Sequence, residues 1–491
     1  MDILKNYIGG SWVSSKEKKS IEVVDPASQE ILAKVPYGEN TISDVQEAVK
    51  IASKAYQEWR EVPVMKRVQP LYKLKTLLEE HAEDIARIIT KECGKTLNES
   101  RGEIQRAIEN VEVACGTPIL MQSEFSENIA SGIDEFMIRQ PLGVCACIAP
   151  FNFPGMIPFW FLPYAIACGN TFILKPSEKV PLTMMKVFEL LDQIDLPKGV
   201  VNLVHGGKES VDELLENKEV KAISFVGSTN IAKYVYSKGA ANGKRVQAQG
   251  GAKNPVVILP DADLDMSVKI IIDSVYGCAG QRCLAASNII TVGDNNGKIK
   301  EALYETAKAR TTGYGLDESV EMGPVITKDS RNRISHLIDK GVKEGANLLL
   351  DGRNAKINGF ENGNFLKPTI LQNLPLNGEV IRTEIFGPVM SLIELKSVDD
   401  ALEFINSGRY GNMACLFTSS GANARKFRNQ ANAGNIGINI GVAAPMAQFP
   451  FSGWNESFFG DLHGQGRHAI EFFTQTKVVI ERWPKEWSRK F

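Results

Sequence analysis

The chain has no charge of either sign to spare: 56 Lys and Arg against 58 Asp and Glu leave a formal −2 over 491 residues. Such a balance creates no whole-molecule field to draw nucleic acid or an anionic membrane, and neither partner is expected. An uninterrupted apolar run of membrane length is also missing. The one candidate, Val144 to Leu174, has no charged residue between Arg139 and Lys175 but contains Pro150, Pro154, Pro158 and Pro163. Each proline removes a backbone donor that lipid cannot replace, so a buried strand, loop and helix is expected there instead. Met1 to Trp12 shows no apolar core followed by small residues, the mark of a signal peptide. The eight cysteines of so long a chain point to reduced thiols in a cytoplasmic setting, not to a disulfide framework. Internal repeats, low-complexity linkers and the G-x-G-x-x-G dinucleotide fingerprint are absent. His463 and His468 make a weak metal pair, and Cys145 with Cys147 lack further ligands, so no metal is expected.

What is present is an ordinary globular mixture, 43% hydrophobic and 23% charged, in a chain long enough for two or three domains. Apolar residues at three- and four-residue steps predict helices at Ile42–Trp59, Arg67–Glu92 and Glu99–Ala114. From Val144 short, uniformly apolar runs alternate with helical ones. Strands are predicted at 144–149, 171–174, 200–204 and 222–226, then at 256–259, 287–292, 389–395, 413–418 and 435–439, with helices such as 330–344 and 398–407 between. Runs of this kind suit parallel sheets covered on both faces, giving two doubly wound α/β units. The polar stretch from Gln122 to Glu135 and the tail after Gln475 belong to neither unit and are expected to pair as sheet-edge extensions between subunits.

The segment Gly277-Cys278-Ala279-Gly280-Gln281-Arg282-Cys283 is a small-residue turn ending in a cysteine beside a cation, which favours the nucleophilic thiolate. By itself it reads first as a buried structural cysteine, because free Cys is commonly buried. Gly280-Gln281-Arg282-Cys283 resembles the catalytic motif of the aldehyde dehydrogenase superfamily, however. Pro150-Phe151-Asn152-Phe153-Pro154, Leu174-Lys175-Pro176-Ser177-Glu178, Phe225-Val226-Gly227-Ser228-Thr229 and Glu384-Ile385-Phe386-Gly387-Pro388-Val389 resemble further superfamily motifs in the expected order. The resemblance covers essentially the whole chain. It implies an aldehyde dehydrogenase-like fold with an NAD-binding domain (1–121 and 141–250), a catalytic domain (251–456) and a small β oligomerisation extension (122–140 and 475–491).

The resemblance also implies roles. Cys283 would be the nucleophile, with the Asn152 amide and the Cys283 N–H as oxyanion donors. Lys175 and Glu178 would hold the adenosine ribose, Ser228 the pyrophosphate and Glu384 the nicotinamide ribose, with Phe386 flanking the ring. Ala149, Pro150, Phe151, Ser177, Gly227 and Gln249 would complete the cofactor site. A carboxylate at Glu178 would repel a 2′-phosphate and favour NAD over NADP.

One departure narrows the expectation. Hydrolytic members carry a glutamate in Glu-Leu-Gly-Gly-Lys, whereas this chain reads Gln249-Gly250-Gly251-Ala252-Lys253, and an amide cannot act as the base that activates water. The tail Gly466-Arg467-His468 likewise replaces a family carboxylate. A thiol can still release the acyl group. Together with Ala444 to Asn455 and Gly460 to Gly464, this resembles the methylmalonate-semialdehyde dehydrogenase branch, which implies coenzyme A as co-substrate, a short semialdehyde as substrate and a homodimer or homotetramer. Arg282 and Arg106 match the branch's carboxylate-binding arginines, and Phe449 belongs to its motif. Periodicity, though, sets Arg106 opposite the apolar face of Ile104, Ile108 and Val111, toward solvent. Two alternatives stay open: a hydrolytic dehydrogenase using another base such as Glu456, and a non-catalytic binding protein that keeps the fold.

Overall fold

Uniformly apolar strands need cover on both faces, and the chain meets that need twice. The computed structural model describes residues 2–294 and 297–483. Its eight-stranded sheet is ordered Ser11–Val13, Asn6–Ile8, Val201–Leu203, Thr171–Lys175, Val144–Ile148, Val220–Val226, Arg245–Gln249, Phe458–Phe459. The strands from Val201–Leu203 to Arg245–Gln249 are parallel, and antiparallel pairs close both edges. A seven-stranded sheet is ordered Asn347–Leu350, Thr369–Gln372, Val389–Leu395, Ala286–Val292, Asn254–Ile258, Met413–Phe417, Asn435–Ile438, parallel except for its first pair. Val144–Ile148, Thr171–Lys175, Asn254–Ile258 and Met413–Phe417 are buried at every position. Each Val, Ile or Leu among them contributes about 1.5–3 kcal/mol of burial. Between Gln249, the last residue of a strand in the first sheet, and Asn254, the first residue of a strand in the second, lie only residues 250–253.

Two expectations change. The helix predicted over Arg67–Glu92 is Val64–Arg67, Gln69–Glu80 and Ala82–Cys93. Pro70, in the first turn of the second piece, has no N–H to continue the preceding helix. His81, at φ −105° and ψ 12°, leaves helical geometry between the second and third. Arg245–Gln249, polar in sequence, is a strand, and its buried glutamines find partners for their N–H groups: Gln247 donates to Ser224 Oγ at 2.8 Å and Gln249 to Asn412 Oδ1 at 3.1 Å. Phe125–Ala130 pairs antiparallel with Ile133–Pro141, which in turn pairs antiparallel with Thr474–Arg482 of the same chain, so the two predicted extensions meet in one three-stranded sheet. The rest of the predicted tail extension, 484–491, lies outside the described residues.

No helix among the described residues is long and apolar enough to cross a membrane. The apolar stretch after Val144 is instead strand, loop, a short turn of helix, helix Leu162–Ala167 and strand.

Candidate active site

In the first sheet the chain steps outward from Val144–Ile148 to Thr171–Lys175 and Val201–Leu203, then returns to the other side as Val220–Val226. A reversal of this kind leaves a crevice beyond the carboxyl ends of the strands, where open α/β sheets take ligands. Ala149, Pro150, Phe151 and Asn152 follow one such end, Lys175, Ser177 and Glu178 lie at the next, Gly227 and Ser228 follow Val226, and Gln249 closes the strand beside them. Ser228 is the N-cap of helix Thr229–Ala241, yet its exposed side chain makes no capping bond. Lys175 is buried, donates to the Pro176 carbonyl at 2.8 Å and lies 3.5 Å from Glu178. Burial pulls the Lys175 ammonium down. Burial also pushes the Glu178 carboxyl up, but the Lys175 and Lys179 charges together with the hydrogen bonds from the Glu178 N–H and Lys175 outweigh it and leave Glu178 below its usual range.

The second sheet meets the same crevice with its amino ends. Gly251 to Lys253 precede Asn254–Ile258, Cys283 precedes Ala286–Val292, Glu384 and Phe386 precede Val389–Leu395, and Asn412 precedes Met413–Phe417. After helix Leu264–Tyr276 the chain turns sharply, with Cys278, Ala279 and Gly280 at φ 50°, 52° and 72°. A Cβ at Gly280 would collide with the Gly387 carbonyl, so only glycine lets the Cys283 loop and the Glu384 loop lie together. The two sides touch: the Phe151 and Phe386 rings meet edge-on at 5.9 Å, and Asn152 Nδ2 donates to the Gln281 carbonyl at 3.0 Å.

Cys283 is 9% exposed. Burial, then the Glu384 carboxylate, pushes its thiol up to about 12, while the N–H groups of Cys283 and Leu284 and the Arg282 guanidinium pull the other way. Its carbonyl accepts from Asn254 Nδ2 at 2.8 Å and from Asn412 Nδ2 at 2.7 Å. Glu384 accepts the Ala252 N–H at 2.8 Å, and burial pushes it up to about 7. Burial pulls the neighbouring Lys253 down to about 7, and its Nζ makes no hydrogen bond among the described residues.

Beneath both sides lies helix Leu97–Cys115, whose polar stripe is not a solvated face. Glu99 completes a capping box with Thr96 through one oxygen and accepts from Cys278 N at 2.6 Å and Arg282 Nη2 at 3.4 Å through the other. Glu103 accepts from Lys95 Nζ at 2.6 Å and from Gly155 N at 2.6 Å, and Lys95 also donates to the Asn152 carbonyl at 2.6 Å. Asn110 accepts from Tyr164 at 3.1 Å. Arg106 sits on the same stripe and meets the solvent expectation in part: its side chain is 37% exposed, bonded to Glu109 of its own helix at 2.9 Å and 2.8 Å from Met446 Sδ. The apolar stripe of Ile104, Ile108 and Val111 is covered on the opposite side, so both faces of this helix are used. No hydrogen bond joins Arg106 to Arg282, whose Nε points to Cys278 Sγ at 3.4 Å. Phe449 stands at the margin, 66% exposed. Glu456, the alternative base, is a half-exposed partner of Arg409 at 3.6 Å.

Sequence reasoning missed Glu99, Lys95, Glu103 and Asn412. The helix stripe at 99, 103, 106 and 110 was visible as a polar pattern, but its cover was not. A family model for aldehyde dehydrogenases matches residues 12–479. The chain belongs to the aldehyde dehydrogenase family. Among its relatives within that family, malonate-semialdehyde dehydrogenase 2 of Geobacillus kaustophilus is 47% identical over 481 residues, spanning 98% of this chain and 99% of the relative. Malonate-semialdehyde dehydrogenase of Halalkalibacterium halodurans is 46% identical over 480 residues, 98% of each. Among solved structures, methylmalonate-semialdehyde dehydrogenase of Oceanimonas doudoroffii superimposes with a TM-score of 0.96 at 40% identity over 99% of both chains. A protein of Sinorhizobium meliloti, assigned as a methylmalonate-semialdehyde dehydrogenase and solved with NAD, gives the same values. The aldehyde dehydrogenase fold expected from the motifs is therefore the fold of this chain.

Proposed function

We propose that this aldehyde dehydrogenase carries out NAD-dependent, CoA-acylating oxidation of malonate or methylmalonate semialdehyde to acetyl-CoA or propionyl-CoA, carbon dioxide and NADH. The residues of the crevice fit NAD. Gly227 and the uncapped, exposed Ser228 open a helix N-terminus suited to a pyrophosphate, and the paired Lys175 and Glu178 at a neighbouring strand end suit ribose hydroxyls. Across the crevice Glu384 suits the second ribose, with Phe386 and Phe151 as apolar walls. Ala149, Pro150, Ser177 and Gln249 line the same strand ends. When bound, NAD accepts the hydride released from the aldehyde carbon.

The chain's own residues supply the rest. Cys283, on losing its proton, adds to the aldehyde carbon, and the Asn152 amide and the Cys283 N–H stabilise the oxyanion. Departure of hydride leaves a thioester on Cys283. Loss of the substrate carboxylate as carbon dioxide leaves a carbon that takes up the proton first given off by the thiol. The CoA thiol then attacks the acyl carbon, Cys283 leaves, and the CoA thiol proton ends on Cys283. Arg282 and Arg106 are the cations assigned to the substrate carboxylate, with Phe449 at the entrance.

The observation that carries this reading is Gln249, an amide bonded to Asn412 where hydrolysis would need a carboxylate. The names of the relatives support the substrate class. Mixing the protein with semialdehyde and NAD but no CoA should release about one NADH per active site and then stall; CoA should restore steady turnover. Steady NADH formation without CoA, at the rate seen with it, would overturn the reading. No burst at all in the parent, with or without CoA, would favour a binding protein.

The proposal includes residues 1–121 with 141–250 as the NAD-binding domain, 251–456 as the catalytic domain, cytoplasmic residence consistent with eight free cysteines, and a homodimer or homotetramer. The sheet of Phe125–Ala130, Ile133–Pro141 and Thr474–Arg482 supports the oligomer, because it exposes Phe125, Ile129, Val478 and Ile480.

A further inference from the structure

We propose that Gln249 and Asn412 form a one-way chain of amide bonds that holds the main chain of Cys283, so that Gln249 is a positioning residue for the nucleophile and not an emptied base position. The inference rests on the reading of Cys283 as the nucleophile. Its direction is forced by the end of the chain. The Cys283 carbonyl can only accept, so Asn412 turns its Nδ2 toward it, at 2.7 Å. That orientation leaves Asn412 Oδ1 facing Gln249, and Oδ1 can only accept in turn. The group at position 249 must therefore donate, as Gln249 Nε2 does at 3.1 Å.

Nothing else replaces this donor. Gln249 is 4% exposed and Asn412 1% exposed, so water does not stand in for a lost bond. Gly453 keeps the space open, since a Cβ there would lie 2.6 Å from Gln249 Nε2. A second amide works in parallel: Asn254 Nδ2 donates to the carbonyls of Cys283 and Ala285, both at 2.8 Å, while its Oδ1 accepts from Met413 N at 3.1 Å. The Cys283 carbonyl is thus gripped by asparagines at the amino ends of two adjacent strands, and one of them is oriented from across the crevice.

An ionised glutamate at 249 would face Asn412 Oδ1 acceptor to acceptor. Either that bond is lost, or Asn412 turns over and sets its oxygen against the Cys283 carbonyl. A protonated glutamate could donate and restore the chain. Gln249→Glu should therefore disturb Cys283 without creating a hydrolase, and the disturbance should follow the protonation of the new side chain.

The full-length variant and the parent are compared at about pH 5.5 and about pH 8.5, which bracket a buried carboxyl. Two rates are read: the NADH burst without CoA, and alkylation of Cys283 by iodoacetamide followed by peptide mapping. Both variant-to-parent ratios should fall by about tenfold or more between low and high pH, with no steady NADH without CoA. Gln249→Met removes the donor without adding charge, and its ratios should be low and independent of pH. Asn412→Ala should match it, and adding Gln249→Glu to Asn412→Ala should cost nothing further. A Gln249→Glu protein that matches the parent at both pH values, or that turns over steadily without CoA, overturns the chain. A parent without burst and stall overturns the functional reading instead, and the alkylation ratios still decide for or against the chain.

Discussion

The two large sheets face one crevice with opposite polarity. The first offers carboxyl ends, carrying Lys175, Glu178, Gly227 and Ser228, and the second offers amino ends, carrying Cys283, Glu384 and Asn412. The difference shows in how side chains are held. At the carboxyl ends the partners of Lys175 are local, Pro176 and Glu178, and Ser228 caps nothing, while Asn152 and Gln249 bond across, to Gln281 and Asn412. At the amino ends they are remote, as in the grip on Cys283 by Asn254 and Asn412 and on Cys278 by Glu99. An edge that must accept and release a ligand keeps its groups open, whereas an edge that must aim a nucleophile fixes it from several sides.

If that division of labour holds, Cys283→Ala should separate the edges most sharply. The NADH burst should fall by roughly 10⁴-fold or more, while the dissociation constant for NAD, measured by calorimetry, should change by less than about twofold, well under the 1.4 kcal/mol of a tenfold change. A matching loss of NAD binding would show that the edges are not independent. Next, Glu103→Ala attacks what joins them, because it strands the buried Lys95 ammonium that holds the Asn152 carbonyl. Loss of one partner of a buried pair should cost about 3–5 kcal/mol in urea unfolding, and Lys95→Met with Glu103→Leu should recover most of it. An unchanged midpoint would mean the pair is not a joint. The smallest effect belongs to Glu178→Gln, which should narrow the preference for NAD over NADP by about tenfold, near the low end of the ~1–4 kcal/mol of one charge contact, with the saturated burst unchanged. An unaltered preference would remove Glu178 from the ribose site.

Much of this was legible in the sequence, for a physical reason in each case. Strands such as Val144–Ile148 announce themselves because two-sided burial needs unbroken apolar runs. Cys283, Asn152, Glu384 and Ser228 stood out through their resemblance to family motifs, and the structure sets those motifs at a tight turn and at strand ends. Arg245–Gln249 was hidden because hydrogen bonds from distant residues make two buried glutamines tolerable. The Met446 contact of the partly exposed Arg106 was hidden because periodicity identifies an apolar face but does not say what lies against the polar one. Asn412 and Glu99 act on residues more than a hundred positions away, a relation that no local pattern encodes.

The short connection from Gln249 to Asn254 limits how the crevice can move. Four intervening residues let these ends stand no more than about 18 Å apart even when fully extended. The connection therefore ties a carboxyl end of the first sheet to an amino end of the second. Gln249 stands at this tie, and Lys175 and Glu178 stand three strands away at about 4.8 Å each. The amides that reach the Cys283 carbonyl thus begin at the tie, and the pair assigned to the ribose stands apart from it.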